Sequence, residues 1–248
     1  MSRAVARSST CQSVLSTPAA PIAMNAPFTD PAVTLTDYGL ALECALIVAL
    51  LLKPQPSDPT LRFWFVVFFA AAGAASLLGG TVHGFFKPAD SNGRAILWPA
   101  TLLTILVTSL AAWFAAARLQ LSPKAEQIAR AVAITILAGL ALIVLFVSRN
   151  FLVAIIGYLP STLFLLYALV STYRRQKARA LGWGIAGIAL TLTAAVVQRA
   201  HIVIHPVYMD HNAFYHVIQG AAFWMIYKAA RFISTVRPPL RRINAVTA

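Results

Sequence analysis

The chain has 248 residues, of which 59% are hydrophobic and only 11% are charged, and its mean hydropathy is +0.75. This composition excludes an ordinary soluble domain and is typical of a protein embedded in a lipid bilayer. The formal net charge of +13 is better explained by membrane topology than by nucleic-acid binding. Two cysteines, Cys11 and Cys44, offer neither a disulfide framework nor a metal-binding pair.

The first 35 residues are rich in Ser, Ala, Thr and Pro, and we expect this N-terminal tail to be disordered. The tail has no apolar core long enough for a signal peptide. Met24 directly precedes the segment that leads into the first apolar run. A translation start at Met24 is therefore a hypothesis, which the mass of the intact N-terminus tests.

Seven apolar runs follow, each close to the roughly 20 residues that a helix needs to cross a bilayer. We predict an all-α, seven-transmembrane helix bundle in residues 36–235, followed by a basic tail in residues 236–248. The predicted spans are residues 37–53, 62–86, 95–118, 128–147, 151–173, 180–203 and 212–233.

The lysines and arginines are divided unequally between the two sides of this predicted bundle. Fourteen of the 20 fall on the side of the C-terminus, and the remaining six fall on the side of the N-terminus. The positive-inside rule therefore predicts an extracytoplasmic N-terminus and a cytoplasmic C-terminus, in the inner or plasma membrane of the cell.

Two local patterns in the spans concern how the helices pack and where they bend. Residues 182–187, "GWGIAG", match the glycine spacing of dinucleotide sites, but they open a span and follow no strand, which favours close approach of two helices. Pro99 and Pro160 lie inside the third and fifth spans, where proline kinks a helix and frees backbone carbonyls.

Polar residues collect on the predicted outer side. Four of the five histidines lie within "HIVIHPVYMDHNAFYHVIQ", residues 201–219, and His83 ends the second span. Helical spacing places further polar side chains with them: Ser76 in span two, Thr191 and Gln198 in span six, and Asn212 and Gln219 in span seven.

Glu43 lies about two turns into the first span, where an ionisable group costs several kcal/mol unless it is paired or hydrated. We therefore expect Glu43 and the outer polar residues to line one pocket near the outer surface.

A zinc ion is the most economical explanation for several imidazoles in such a pocket, because three histidines and a water form an open catalytic site. Zinc also lowers the pKa of its bound water towards about 7, so that the water attacks a carbonyl group. Glu43, Asp90 or Asp210 would then accept a proton or orient a ligand. Two alternatives are solvated histidines at the membrane interface and a pair of histidines that holds a haem.

Two segments carry a resemblance to a known superfamily. "ASLLGGTVHGF" places His83 at the end of span two, and "DHNAFYHVIQG" places His216 at the start of span seven. With seven spans and an external N-terminus, the chain resembles alkaline ceramidases and progestin/adiponectin receptor-like proteins. That superfamily has Ser-x3-His in span two, a following Asp, and His-x3-His in span seven. Here Gly79 replaces the serine, and Asn212 replaces the first histidine of the pair.

The resemblance implies a zinc-dependent hydrolase that cleaves the amide bond of a lipid. His83 and His216 would bind zinc together with one of His211, His205 or His201. Ser76 would stabilise the oxyanion and Glu43 or Asp90 would transfer protons, while the pocket would be lined by Asn212, Gln198 and Gln219.

The alternative function is not enzymatic. In it, a membrane sensor, transporter or accessory subunit binds a small ligand or a proton in the same pocket, because histidine changes its charge near physiological pH. The predicted partners are the lipid bilayer and a lipid substrate, and we expect no nucleic acid. A chelator would abolish the activity of a zinc hydrolase and leave a metal-free binding protein unaffected.

Overall fold

A computed structural model describes residues 28–53, 56–205 and 208–235. These residues form seven α-helices and contain no β-strand, which confirms the predicted all-helical class. The helices are α1 (Pro31–Leu52), α2 (Pro59–Phe85), α3 (Asn92–Gln120), α4 (Pro123–Phe146), α5 (Phe151–Gln176), α6 (Arg179–Arg199) and α7 (His211–Thr235).

Each predicted span coincides with one helix, and two boundaries differ in a way that affects the site. Helix α1 begins at Pro31 instead of residue 37, so residues 31–35 are helical although we predicted them in the tail. Helix α6 ends at Arg199 instead of residue 203, and His201 follows with a left-handed backbone, φ 51°. Residues 1–27, with the hypothetical start at Met24, and residues 236–248 lie outside the described residues.

Side-chain caps fix where several helices begin. The Asp58 carboxylate accepts a hydrogen bond from the backbone N–H of Leu61 at 3.0 Å, in the first turn of α2. Ser91, Ser122 and Asn150 accept corresponding bonds at the starts of α3, α4 and α5. Such caps satisfy backbone N–H groups that have no partner within the helix.

Six helices in the described part of the chain, α1 to α6, are long and apolar enough to cross a membrane. Large apolar side chains on their outer faces remain exposed, including Leu42 at 74% and Phe146 at 80%. A soluble protein rarely exposes apolar surface on this scale, whereas a lipid-embedded protein requires it. The helices thus suggest a multi-pass membrane protein.

Helix α1 packs between α2 and α7, and α7 also packs against α6. Glycines allow two of these contacts to be close. A Cβ on Gly80 of α2 would lie 2.8 Å from the Cβ of Asp37, and a Cβ on Gly187 of α6 would lie 2.8 Å from the carbonyl oxygen of Ala222 in α7. The packing role predicted for "GWGIAG" is therefore confirmed at Gly187.

Candidate functional site between α1 and α7

A buried polar contact joins the first turns of α1 to α7. One carboxylate oxygen of Asp37 lies 3.3 Å from Nε2 of His216, and the Thr36 hydroxyl oxygen lies 3.3 Å from Nδ1 of the same ring. Asp37 is only 3% exposed, and the His216 side chain is 11% exposed. Both nitrogens of this imidazole are therefore held by α1.

The Thr36 hydroxyl also lies within hydrogen-bond distance of the carbonyl oxygens of Ala32, at 2.9 Å, and of Val33, at 3.0 Å. The tautomer of His216 decides whether Nδ1 donates to the Thr36 hydroxyl or accepts from it. In either tautomer, α1 supplies a polar partner to each nitrogen of the ring.

Glu43 lies two turns further along α1, opposite Gly220 of α7. A Cβ on Gly220 would lie 2.6 Å from Oε2 of Glu43, so the carboxylate occupies the hollow that the missing side chain leaves. Among the described residues, none forms a hydrogen bond or an ion pair with this carboxylate. Glu43 is thus a carboxyl group in a helix apolar enough to span a membrane, and no described residue satisfies it with a hydrogen bond or an ion pair.

Glu43 and His216 line one wall each of a cavity of about 490 Å³ between α1 and α7. We call this cavity the α1–α7 groove. Val217 is 50% exposed and Trp224 is 38% exposed, so the groove opens on the lateral surface of the bundle, away from the core. Its remaining walls are Thr36, Gly39, Leu40, Gly220 and Ala221.

Other predicted pocket residues lie near the groove but face a different helix. Gln198 donates to the side-chain oxygen of Asn212 at 2.9 Å, and Gln219 donates to the hydroxyl of Thr191 at 3.1 Å. These two bonds tie α7 to α6. The polar face predicted for α7 is therefore divided, with His216 facing α1 and the two amides facing α6.

The remaining predicted residues are dispersed. His83 is half-buried in α2 near His216, and Ser76 is buried two turns earlier on α2. Asp90 is exposed in the α2–α3 loop.

The other three histidines surround the start of α7. The rings of His201 and His211 meet edge to face with centroids 4.4 Å apart, and His205 accepts a hydrogen bond from the backbone N–H of Tyr208 at 3.2 Å.

The described residues do not fit the three-histidine zinc site that the resemblance implies. No group of three His, Cys, Asp or Glu side chains in the described chain is close enough to hold a metal ion. His216 would have to release Asp37 or Thr36 before either ring nitrogen could bind a metal. Zinc binding stays a prediction.

Asp37 belongs to the candidate site but is not among the pocket residues predicted from the sequence. We placed the start of the first span at residue 37, and an acid at that boundary resembles an ordinary interfacial residue. The available signal was Pro31, because proline is favoured in the first turn of a helix. A helix that begins at Pro31 carries Asp37 into its second turn, where a carboxyl group needs a partner.

Comparison with known proteins gives a family but no activity. Neither a curated protein nor a solved structure matches the chain. Residues 32–235, which span α1 to α7 and both sides of the α1–α7 groove, match the model of a protein family. The chain belongs to that family, which is described as a family of unknown function, DUF6962.

Proposed function

We propose that this protein is a membrane sensor or accessory subunit whose α1–α7 groove binds a small amphipathic ligand with an ammonium group. The observation that carries the proposal is the Glu43 carboxyl group, which lines the groove without a hydrogen-bond or ion-pair partner among the described residues. An ionisable group in a membrane span costs several kcal/mol unless it is neutralised, so such groups usually mark a binding site or a proton site.

The walls of the groove favour a cation with an apolar chain. No lysine or arginine is among the described residues that line it, so nothing there competes with a cationic ligand for Glu43. The Trp224 indole offers a ring face that attracts a cation, and Leu40 and Val217 offer apolar surface to an alkyl chain. An ammonium group would therefore be neutralised by Glu43 while its chain remained in an apolar environment.

The Asp37–His216 contact supports this function by fixing one wall of the groove. Asp37 is buried against His216 and does not line the groove, so Glu43 is the carboxyl group that a cation in the groove would meet. His216 lines the groove, and its ring is fixed from both nitrogens by α1. A rigid ring at this position limits the length and orientation of the ligand. In the empty groove a proton on Glu43 would take the place of the ammonium group, so binding would release that proton.

The proposed topology has seven spans, with α7 as the seventh. Helix α7 has 25 residues, lies against α6 and α1, and carries His211, Asn212, His216 and Gln219 in its first half. An odd number of spans places the termini on opposite sides, and the unequal charge distribution favours a cytoplasmic C-terminus. The groove would then open in the outer half of the membrane.

Equilibrium binding of decylammonium to the protein in phosphatidylcholine nanodiscs tests the proposal. Decanol is the neutral control, because its chain has the same length and partitions into the same bilayer. We expect decylammonium to bind, and Glu43→Gln to weaken it about tenfold or more, the value of a charge-assisted hydrogen bond.

Two further variants sharpen this test. Gly220→Ala should also weaken binding, because its methyl group occupies the hollow that holds the Glu43 carboxylate. The matched control Asp90→Asn removes an exposed carboxylate outside the groove and should leave binding unchanged. Equal affinity of the Glu43→Gln protein and the wild type would contradict the proposal.

Hydrolysis of a lipid amide stays a prediction that follows from the resemblance. Elemental analysis tests it separately: it requires about one zinc per chain, and that zinc should be lost in a His83→Ala, His216→Ala double variant. A well-folded protein without stoichiometric metal would remove the zinc mechanism and leave the groove proposal intact.

A further inference from the structure

A second cavity lies further along α7, where α6 begins and α7 ends, and it shares Trp224 with the α1–α7 groove. Its volume is about 680 Å³, and Leu50 of α1 contributes to its wall. We call it the basic cavity, because three cationic side chains line it together with three aromatic ones: Arg179, Lys228, Arg231, Trp183, Trp224 and Tyr227.

The three cations of the basic cavity have no acidic partner among the described residues. The sequence supplies only two acids to this end of the bundle, Asp58 and Glu126. Both are paired elsewhere, since Arg118 lies 3.0 Å from Asp58 and Arg130 lies 2.6 Å from Glu126. The positive charge of the cavity is therefore uncompensated within the described chain.

Aromatic side chains hold two of the cations in place. The Lys228 ammonium lies 4.5 Å from the centre of the Trp183 ring, and an N–H of the Arg231 guanidinium donates to the Tyr227 hydroxyl at 3.3 Å. Cations that pack on aromatic rings lose less entropy when they bind an anion, because their side chains are already restricted.

The backbone adds to the positive potential. No side chain caps the first turn of α6, which follows Ala178, and Ala180 in that turn lines the basic cavity. The N–H groups of a first turn carry a partial positive charge. They supplement the three side chains, on which the inference rests.

We propose that the basic cavity binds the phosphate headgroup of an anionic phospholipid. Two features favour a lipid over free phosphate. The cavity lies at the ends of helices long enough to span a membrane, and Leu50 and two tryptophans give it an apolar wall suited to acyl chains. The proposal requires only that the chain is a membrane protein, and it is independent of the ligand of the α1–α7 groove.

The test measures retained lipid by native mass spectrometry, on protein purified from nanodiscs of equal parts phosphatidylglycerol and phosphatidylcholine. We expect wild type to retain phosphatidylglycerol preferentially. Arg179→Gln alone should weaken that lipid about fivefold, and Arg179→Gln/Lys228→Gln/Arg231→Gln should weaken it about 100-fold, at roughly a fivefold effect per charge. The single variant changes one exposed residue, so it keeps the test valid if the triple variant does not fold.

A charge-matched control separates this site from general attraction between a basic surface and anionic lipid. Lys124→Gln/Arg174→Gln/Lys177→Gln removes three cations from the same end of the bundle, outside the cavity, and should change retention less than twofold. Equal losses in the two triple variants, or no preference for phosphatidylglycerol in wild type, would overturn the proposal. Displacement of the lipid by millimolar inorganic phosphate would also overturn it, since the cavity would then be a soluble-phosphate site.

Discussion

Two carboxyl groups on α1 have opposite environments. Asp37 is buried against His216, which is 179 positions later in the chain, whereas Glu43 lines the α1–α7 groove without a hydrogen-bond partner among the described residues. A paired buried group stabilises the fold, and an unpaired one costs desolvation energy that only a ligand or a proton offsets. Neutralising the two residues should therefore have opposite effects on stability.

Asp37→Asn should lower the free energy of unfolding by about 1–3 kcal/mol, because the amide keeps the shape of the side chain but leaves His216 without its carboxyl partner. Chemical unfolding in lipid nanodiscs, followed by circular dichroism, measures this change. Asp90→Asn is the control and should be neutral, since Asp90 is exposed. If both variants lost the same stability, the Asp37–His216 contact would not support the fold.

Glu43→Gln should leave stability unchanged or raise it by about 0.5–2 kcal/mol, because it removes an unpaired carboxyl group from the groove. The same unfolding experiment measures it. A loss as large as that of Asp37→Asn would show that Glu43 has a stabilising partner, contrary to the environment described above. Stability gained together with lost decylammonium binding is the expected signature of a binding residue.

At the scale of the helices, length and hydropathy were sufficient to predict all seven elements and the helical class. The start of α1 was missed because Thr34, Thr36 and Asp37 interrupt the apolar pattern after Pro31, so hydropathy alone places the start of the span later. The contacts of the site could not be predicted, since a single sequence does not show which helices are neighbours. Glu43 was identified because its depth in an apolar span is visible without knowing its neighbours.

Close packing of α1 on α2 can be tested at Gly80, with a glycine on α4 as the control. Gly80→Ala should destabilise the protein by about 1–3 kcal/mol, because its Cβ would lie 2.8 Å from that of Asp37. Gly139→Ala on α4 is the matched control. Nothing lies within 4 Å of its added Cβ, so it should be neutral or stabilise the helix by about 0.5–1 kcal/mol. Thermal unfolding of both variants measures the difference, and equal effects would argue against close packing at Gly80.

At the scale of the whole molecule, the two ends of the bundle differ in chemistry. One end carries the Asp37–His216 pair and the histidines, and the other carries the basic cavity and the ion pairs of Asp58 and Glu126. In the proposed topology these two ends face different aqueous compartments, and the positive-inside rule would place the basic end in the cytoplasm. The ligand of the groove would therefore be sensed from the outer side.

Cysteine labelling of intact cells tests that orientation. In a background with Cys11 and Cys44 changed to serine, we expect a membrane-impermeant maleimide to label Asp90→Cys directly. Lys124→Cys should be labelled only after the membrane is permeabilised, because it lies at the basic end. The reverse pattern would invert the topology, and labelling of both sites in intact cells would show that α3 does not cross the membrane.

The most direct test of the central claim is modification of the protein in membranes by dicyclohexylcarbodiimide, a lipid-soluble reagent that attacks protonated carboxyl groups in apolar surroundings. Peptide mass spectrometry then locates the adduct. The unpaired Glu43 in an open groove predicts modification at Glu43 and none at the paired Asp37 and Glu126, with protection by decylammonium but not by decanol. An unmodified Glu43, or a rate that decylammonium does not slow, would contradict the proposed binding site.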